Sequence, residues 1–116
     1  MSLFKISEKI VLNKLKKIEY GSLKLINYDG QVFHFGNLED ELKADIKINN
    51  EKFYFNIIVG GSSALGEAHM SKDFYSTNLT NLIELTARNI RLVHSFSGSL
   101  RIQKIKNFIK KIVIHF

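Results

Sequence analysis

Leu42-Lys43-Ala44-Asp45-Ile46-Lys47-Ile48 alternates apolar and polar residues without a break. Successive side chains of a strand point to opposite faces, so this stretch predicts a half-buried strand with Leu42, Ala44, Ile46 and Ile48 inward and Lys43, Asp45 and Lys47 outward. Upstream, Leu23 and Leu25 alternate with polar residues, Tyr28-Asp29-Gly30 supplies turn chemistry, and Phe33 and Phe35 alternate again. That pattern predicts a β-hairpin closed by Gly36-Asn37. Downstream, Asn49-Asn50 breaks the strand. Residues 51 to 59 suit a helix ended by Gly60-Gly61, with Phe53, Ile57 and Ile58 on one side, although Phe53-Tyr54-Phe55 also suits a strand; the helix is preferred.

Helical periodicity flanks this core. A first helix is expected from a cap at Ser7 to about Glu19, with Ile10, Val11, Leu15 and Ile18 on one face and Gly21 ending it. Ser76 or Thr77 is expected to cap a later helix whose apolar face carries Leu79, Leu82, Ile83, Thr86 and Ile90. Strands and helices follow one another without regular βαβ alternation. The fold class expected is therefore α+β, a small, mostly antiparallel sheet with packed helices.

At 116 residues and 13.4 kDa the chain has room for one domain and one core. Apolar residues make up 45% and charged residues 24%, a balance that excludes disorder and fibrous repeats. The absence of cysteine excludes a disulfide framework, a thiolate zinc site and a cysteine nucleophile. No apolar run approaches the length of a membrane span and the first residues lack a signal-peptide pattern, so a cytoplasmic protein is expected.

The net charge of +6 is unevenly placed. All eleven acids fall within residues 1 to 84, whereas residues 85 to 116 carry seven Lys/Arg and no acid. In the last stretch Ile102, Ile105, Ile109, Ile112 and Phe116 form an apolar stripe, broadened by Phe108, Val113 and Ile114. Arg101, Lys104, Lys106, Lys110 and Lys111 lie mostly off it. This predicts a basic amphipathic C-terminal helix, with residues 1–95 as an α+β domain and residues 96–116 as a helical tail or linker. Those five cations are the candidate contacts to an anionic surface, a phospholipid membrane first among the partners. Nucleic acid is not favoured, because the aromatic residues do not interleave with the basic ones as a stacking platform requires. Dimerisation stays open.

Chemistry-bearing motifs are sparse. His34, His69, His94 and His115 show no metal-ligand spacing, and no metal site is assigned. No Gly-x-Ser-x-Gly elbow occurs, and Gly60-Gly61-Ser62-Ser63 lacks the Lys-Ser/Thr ending of a phosphate cradle, so it is read as a helix end. No catalytic residue is assigned.

Residues 60 to 89, from Gly60-Gly61-Ser62-Ser63-Ala64-Leu65-Gly66-Glu67-Ala68-His69-Met70 to Arg88-Asn89, resemble the N-terminal domain of cyclopropane-fatty-acyl-phospholipid synthases. These are S-adenosylmethionine-dependent methyltransferases that modify unsaturated acyl chains of membrane phospholipids. The family signature runs Gly-x-Gly-Glu-(Ala/Ser)-Tyr-Met-Asp-Gly and is followed by tryptophan. Gly66, Glu67, Ala68 and Met70 match it, while His69 replaces tyrosine, Ser71-Lys72 replaces Asp-Gly and Phe74 replaces tryptophan. The order of hairpin, alternating strand and aromatic helix fits as well, so that the resemblance covers most of residues 20 to 95. A more distant resemblance, to sterol-carrier-type lipid-binding domains, implies a similar sheet with helices over an apolar cavity.

The resemblance implies a non-catalytic lipid-engaging domain, peripheral to the inner face of the membrane, with Gly66, Glu67, Ala68, Met70 and Phe74 as its lipid- or partner-facing motif. It implies no cofactor in this chain, since S-adenosylmethionine belongs to the methyltransferase domain, expected as a partner in cis or in trans. From the residues alone, the glycines point to close backbone approach or positive φ, and Glu67 is either satisfied locally or faces a partner. Met70 and Phe74 suit either core packing or acyl contact. A stand-alone lipid carrier or protein-interaction module is the alternative.

Overall fold

The alternating stretch forms a strand as expected, and the rest of the sheet is built around it. The computed structural model of the chain describes residues 2–96. In chain order the elements are α1 (Leu3–Leu15), β1 (Ser22–Ile26), β2 (Val32–Gly36), β3 (Lys43–Ile48), α2 (Lys52–Gly60), α3 (Ser62–Met70), β4 (Phe74–Tyr75), α4 (Leu79–Arg88) and α5 (Ile90–Phe96). The sheet order is β2-β1-β3-β4, with β1–β2 and β3–β4 antiparallel and β1–β3 parallel. This is an α+β fold with a small, mostly antiparallel sheet.

One face of the sheet carries Leu23, Leu25, Phe35, Ala44, Ile46 and Ile48, all buried, and α1 and α2 pack together as part of the same core. Full burial of each such large side chain stabilises by roughly 1.5–3 kcal/mol, which makes this layer the main source of stability. The opposite face presents Lys24, His34, Lys43 and Lys47 in exposed positions. The helix over residues 52–60 resolves the helix-or-strand ambiguity, and it has the physical reason that Phe53, Tyr54, Ile57 and Ile58 fall on one side and are all buried. The hydroxyl of Tyr54, whose side chain is inaccessible to solvent, donates to Asn27 Oδ1 at 2.5 Å. Burial, with Glu8 nearby, pushes that phenol far above its ordinary range, so it stays protonated.

The parallel pairing of β1 and β3 needs the chain to pass from one side of β1 to the other. It does so in residues 37–42, at the start of β1. There Gly21 O accepts from the Asn37 N–H at 3.0 Å and Leu42 O accepts from the Ser22 N–H at 2.9 Å. The Asp40 carboxylate holds the crossing from within, accepting from the N–H groups of Leu42 and Gly21 at 3.0 Å each. Those two bonds keep its carboxyl below the usual carboxylate range. Gly21 and Gly36 have φ of +80° and +82°, and a Cβ on Gly36 meets the Gly21 carbonyl oxygen inside van der Waals contact. Glycine is required at Gly36 by conformation and by space alike.

Several expectations are corrected. Ser2, not Ser7, caps α1, its hydroxyl accepting from the Lys5 N–H at 3.2 Å, and the helix ends at Leu15 rather than near Glu19. Ser7 is fully buried one turn inside, where its hydroxyl donates back to Leu3 O at 2.9 Å, a bond open to serine within a helix. Asn78, not Ser76 or Thr77, caps α4. Thr77 is taken by Asp45, donating through Oγ1 at 2.6 Å and through its N–H at 3.1 Å. The apolar repeat through Ile90 is two helices, broken at Asn89. Of the apolar face expected there, Leu82 is buried while Ile83 and Ile90 are exposed, and Leu85 is buried as well.

Candidate functional site: an apolar groove between α3 and α4

The Gly66–Phe74 motif is divided by the helix that carries it. Residues of an α-helix advance 100° each, so neighbours along α3 open on different sides. Gly66 and Phe74, with His69, border a surface groove of about 380 Å³ whose other wall is Leu79 and Ile83 of α4 and Ile90 of α5. Glu67 and Ala68 lie on another side of α3, in a hollow shared with Asn56, Ser71 and Asp73. Met70 lines neither and is 82% exposed. The motif is therefore not one constellation. Gly66 and Phe74 share a site, Met70 stands in solvent, and Ala68 is buried against the core.

Gly66 corrects its own reading. Its backbone is helical, it is absent from the positive-φ residues, and an added Cβ meets nothing within 4 Å. Neither strain nor crowding requires glycine there, and a glycine inside a helix costs about 1 kcal/mol relative to alanine. What the missing side chain does is leave the groove open. Phe74 forms part of its floor, its ring 5.6 Å from that of Phe53 and 5.7 Å from that of His69. Ile83, 54% exposed, stands on the α4 wall. The periodicity that puts Ile83 and Ile90 on one apolar face detects a real face, part of which borders this groove.

Lys72 carries a second signal. It is the one described non-glycine residue with positive φ, at +59°. This left-handed turn ends α3, where the Asp73 N–H donates to Ala68 O at 2.8 Å. The resembled signature places glycine at this position. A side chain costs roughly 1–2 kcal/mol in this conformation, part of it offset by the greater freedom of glycine in the unfolded chain. Lys72→Gly is expected to raise stability by about 1 kcal/mol and the thermal midpoint by about 4 °C, read by calorimetry. An unchanged or lower midpoint contradicts the strain.

Chemically, the groove is suited to burying apolar surface. It offers the single imidazole of His69, and no carboxylate is among its lining residues. Among the described residues no group of three or more His, Asp or Glu is placed to hold a metal ion, and no helix is long and apolar enough to cross a membrane. A denser polar cluster sits at the hairpin tip. There Tyr28 accepts from Lys5 Nζ at 2.5 Å and donates to Glu8 Oε1, while Lys5 also lies 3.8 Å from Glu51. Burial and the Glu8 bond raise the Tyr28 phenol, and the Tyr28 bond raises Lys5. These groups satisfy one another and tie the hairpin to α1 and α2.

Inside the domain an apolar cavity of about 90 Å³ lies among Leu25, Ile46, Ile57, Leu85 and Phe96. It is well short of the roughly 300–1,000 Å³ of ordinary ligand sites. The tail cations Arg101, Lys104, Lys106, Lys110 and Lys111 lie outside the described residues, as does the amphipathic helix expected there. In comparisons with known proteins, no family model, no curated protein and no solved structure matches the chain.

Proposed function

We propose that this chain is a non-catalytic, lipid-engaging domain of the cyclopropane-fatty-acyl-phospholipid synthase type, peripheral to the inner face of the membrane. It serves a methyltransferase domain acting in cis or in trans, and S-adenosylmethionine belongs to that domain. The observation that carries the reading is the open apolar groove at Gly66 and Phe74, inside the segment that bears the resemblance, with exposed Ile83 on its wall. The left-handed turn at Lys72, where the signature has glycine, supports the same reading. The groove, rather than the small interior cavity, is the acyl-contacting surface.

The basic stretch adds attraction to anionic headgroups, about 1 kcal/mol for each Lys or Arg near the surface. Two parts of the reading are separable with the 116-residue chain and vesicles of phosphatidylglycerol or phosphatidylcholine. Binding to the anionic vesicles is expected to exceed binding to the neutral ones. It is expected to weaken about tenfold on Gly66→Leu, which fills the groove, or Ile83→Asp, which charges its wall. Reversing Lys104, Lys106, Lys110 and Lys111 to glutamate is expected to remove the preference for anionic lipid. Binding to neither vesicle defeats the proposal, and groove variants that bind like the parent remove the groove from it.

A further inference from the structure

A second surface, on the far side of the molecule's sheet, points to a different kind of partner. Strand β2 is an edge, with β1 on one side and no described strand on the other. The phase of its hydrogen bonds follows from the hairpin ends: Asn27 N–H donates to Gln31 O at 2.8 Å, and Asn37 N–H donates to Gly21 O at 3.0 Å. Bonded and non-bonded pairs alternate along an antiparallel ladder, so Leu25–Phe33 and Leu23–Phe35 are the bonded pairs between those ends. Val32 and His34 therefore turn their main-chain N–H and C=O groups away from β1. Both residues are exposed. Such an edge is a template for another strand.

Beside that edge runs a groove of about 520 Å³ between α1 and β2, with Ile10, Leu12, Phe33 and Phe35 as its apolar lining and Lys9 and Lys16 on its α1 side. No carboxylate lines it. On the other face of the sheet, Lys24 is paired in register with His34, and exposed Lys43 and Lys47 lie beyond. Asp45, the acid of that face, is occupied by Thr77. A strand added to β2 thus meets an apolar groove with its inward side chains and cationic surroundings on both faces.

We infer that the β2 edge and the α1/β2 groove form a docking site for an extended peptide segment that alternates apolar and acidic residues. Main-chain bonds to Val32 and His34 supply affinity, the apolar residues enter the groove, and the acids, on the opposite face of the added strand, meet Lys24. Two alternative occupants are disfavoured by charge. A second copy paired through β2 brings the Lys9 and Lys16 sets of both chains together, and the stretch after residue 96 is itself basic. This inference concerns a face apart from the α3/α4 groove and stands independently of the lipid reading.

The test uses the 116-residue chain with a labelled nine-residue peptide alternating valine and glutamate. Its valine–lysine counterpart and palmitate serve as comparisons. The glutamate peptide is expected to bind saturably, at least about tenfold more tightly than the lysine peptide, and to slow amide hydrogen exchange at Val32 and His34 about tenfold. Lys24→Glu is expected to weaken binding about tenfold, and Lys9→Glu with Lys16→Glu, on the apolar side, by less. His34→Pro removes an N–H that the β1 ladder does not use and is expected to abolish binding while the fold persists. If that variant fails to fold, the charge reversals and the exchange data still decide. The inference is overturned if the glutamate peptide does not bind, or binds without slowing Val32 and His34. It is overturned equally if palmitate takes the groove in place of the peptide, or if β2 becomes protected with rising protein concentration alone.

Discussion

Gly36→Ala is expected to cost about 3 kcal/mol or more and to leave the domain marginal. Two effects add at this position. An L-residue at φ +82° carries roughly 1–2 kcal/mol of conformational strain. The new methyl also runs into the Gly21 carbonyl oxygen, a backbone atom already engaged by the Asn37 N–H, so it cannot swing aside as a side chain could. Domains of this size hold only about 5–15 kcal/mol in total. The urea midpoint is expected to fall by at least about 1 M. Gly30→Ala is the matched comparison. Gly30 has φ +90° with nothing within 4 Å of its added Cβ, so it reports strain without the clash. A Gly36→Ala loss no larger than that of Gly30→Ala means the crossing at β1 tolerates a wider approach, and the steric account fails.

The parts of this fold that were legible in the sequence are those whose signal is local. The strand Lys43–Ile48, the hairpin around Tyr28-Asp29-Gly30 and the helix Lys52–Gly60 each declare themselves through a period and a terminator within a short window. Strand pairing is a different matter. Nothing in Leu23 or Ile46 says that β1 and β3 run parallel, because that follows from where residues 37–42 carry the chain. β4 has two residues, too few for any period, and is held by Lys47–Tyr75 and Ile48–Phe74 pairing. The misplaced caps have two causes. Ser7, Ser76 and Thr77 are all competent hydroxyls, but Ser7 lies inside a helix that Ser2 already caps and bonds back to Leu3 O within it, whereas a tertiary partner, Asp45, takes the hydroxyls of Ser76 and Thr77.

The candidate site was marked in the sequence by a resemblance, and its arrangement was illegible. Residues 60 to 89 stood out, and the structure sets Gly66 and Phe74 on one groove. It also sends Glu67 and Met70 elsewhere, since a run of consecutive residues on a helix cannot share a face. The other wall, Ile83 and Ile90, reads in the sequence only as part of one helix face, because an apolar stripe looks the same whether a domain's own interior or an open groove lies in front of it. The β2 edge left no mark in composition at all. It emerges only once the hairpin's bonded pairs are counted from Asn27 and Asn37.

Asn89 is the residue whose importance the sequence concealed most, and its replacement carries the other large expected effect. It ends α4, is only 8% exposed, and uses both ends of its amide. Oδ1 accepts from the N–H groups of Glu19 and Tyr20 at 3.1 and 3.2 Å, and Nδ2 donates to Tyr20 O and Leu85 O at 2.9 Å each. One side chain thereby joins the end of α4 to the link between α1 and β1. Asn89→Ala leaves these main-chain groups to find other partners and is expected to cost about 2–3 kcal/mol, nearly independent of pH.

Asn89→Asp separates the acceptor role from the donor role. An aspartate keeps the bonds from Glu19 and Tyr20 but turns a charged oxygen towards two carbonyl oxygens. At pH 7 it is expected to cost about 3 kcal/mol or more. Burial and those carbonyls raise its carboxyl above the unfolded value, and the protonated acid regains one donor. A raised carboxyl favours the folded state below its unfolded pKa and ceases to do so as pH climbs through the folded one. Relative to the parent, the aspartate variant must therefore recover as pH is lowered from 7 towards 4, while the alanine variant does not. Urea unfolding of all three at both pH values reads the difference. Equal losses for aspartate and alanine, unchanged between pH 7 and pH 4, mean that the bonds accepted by Oδ1 contribute little and that no raised carboxyl faces the two carbonyls, and the account of Asn89 fails.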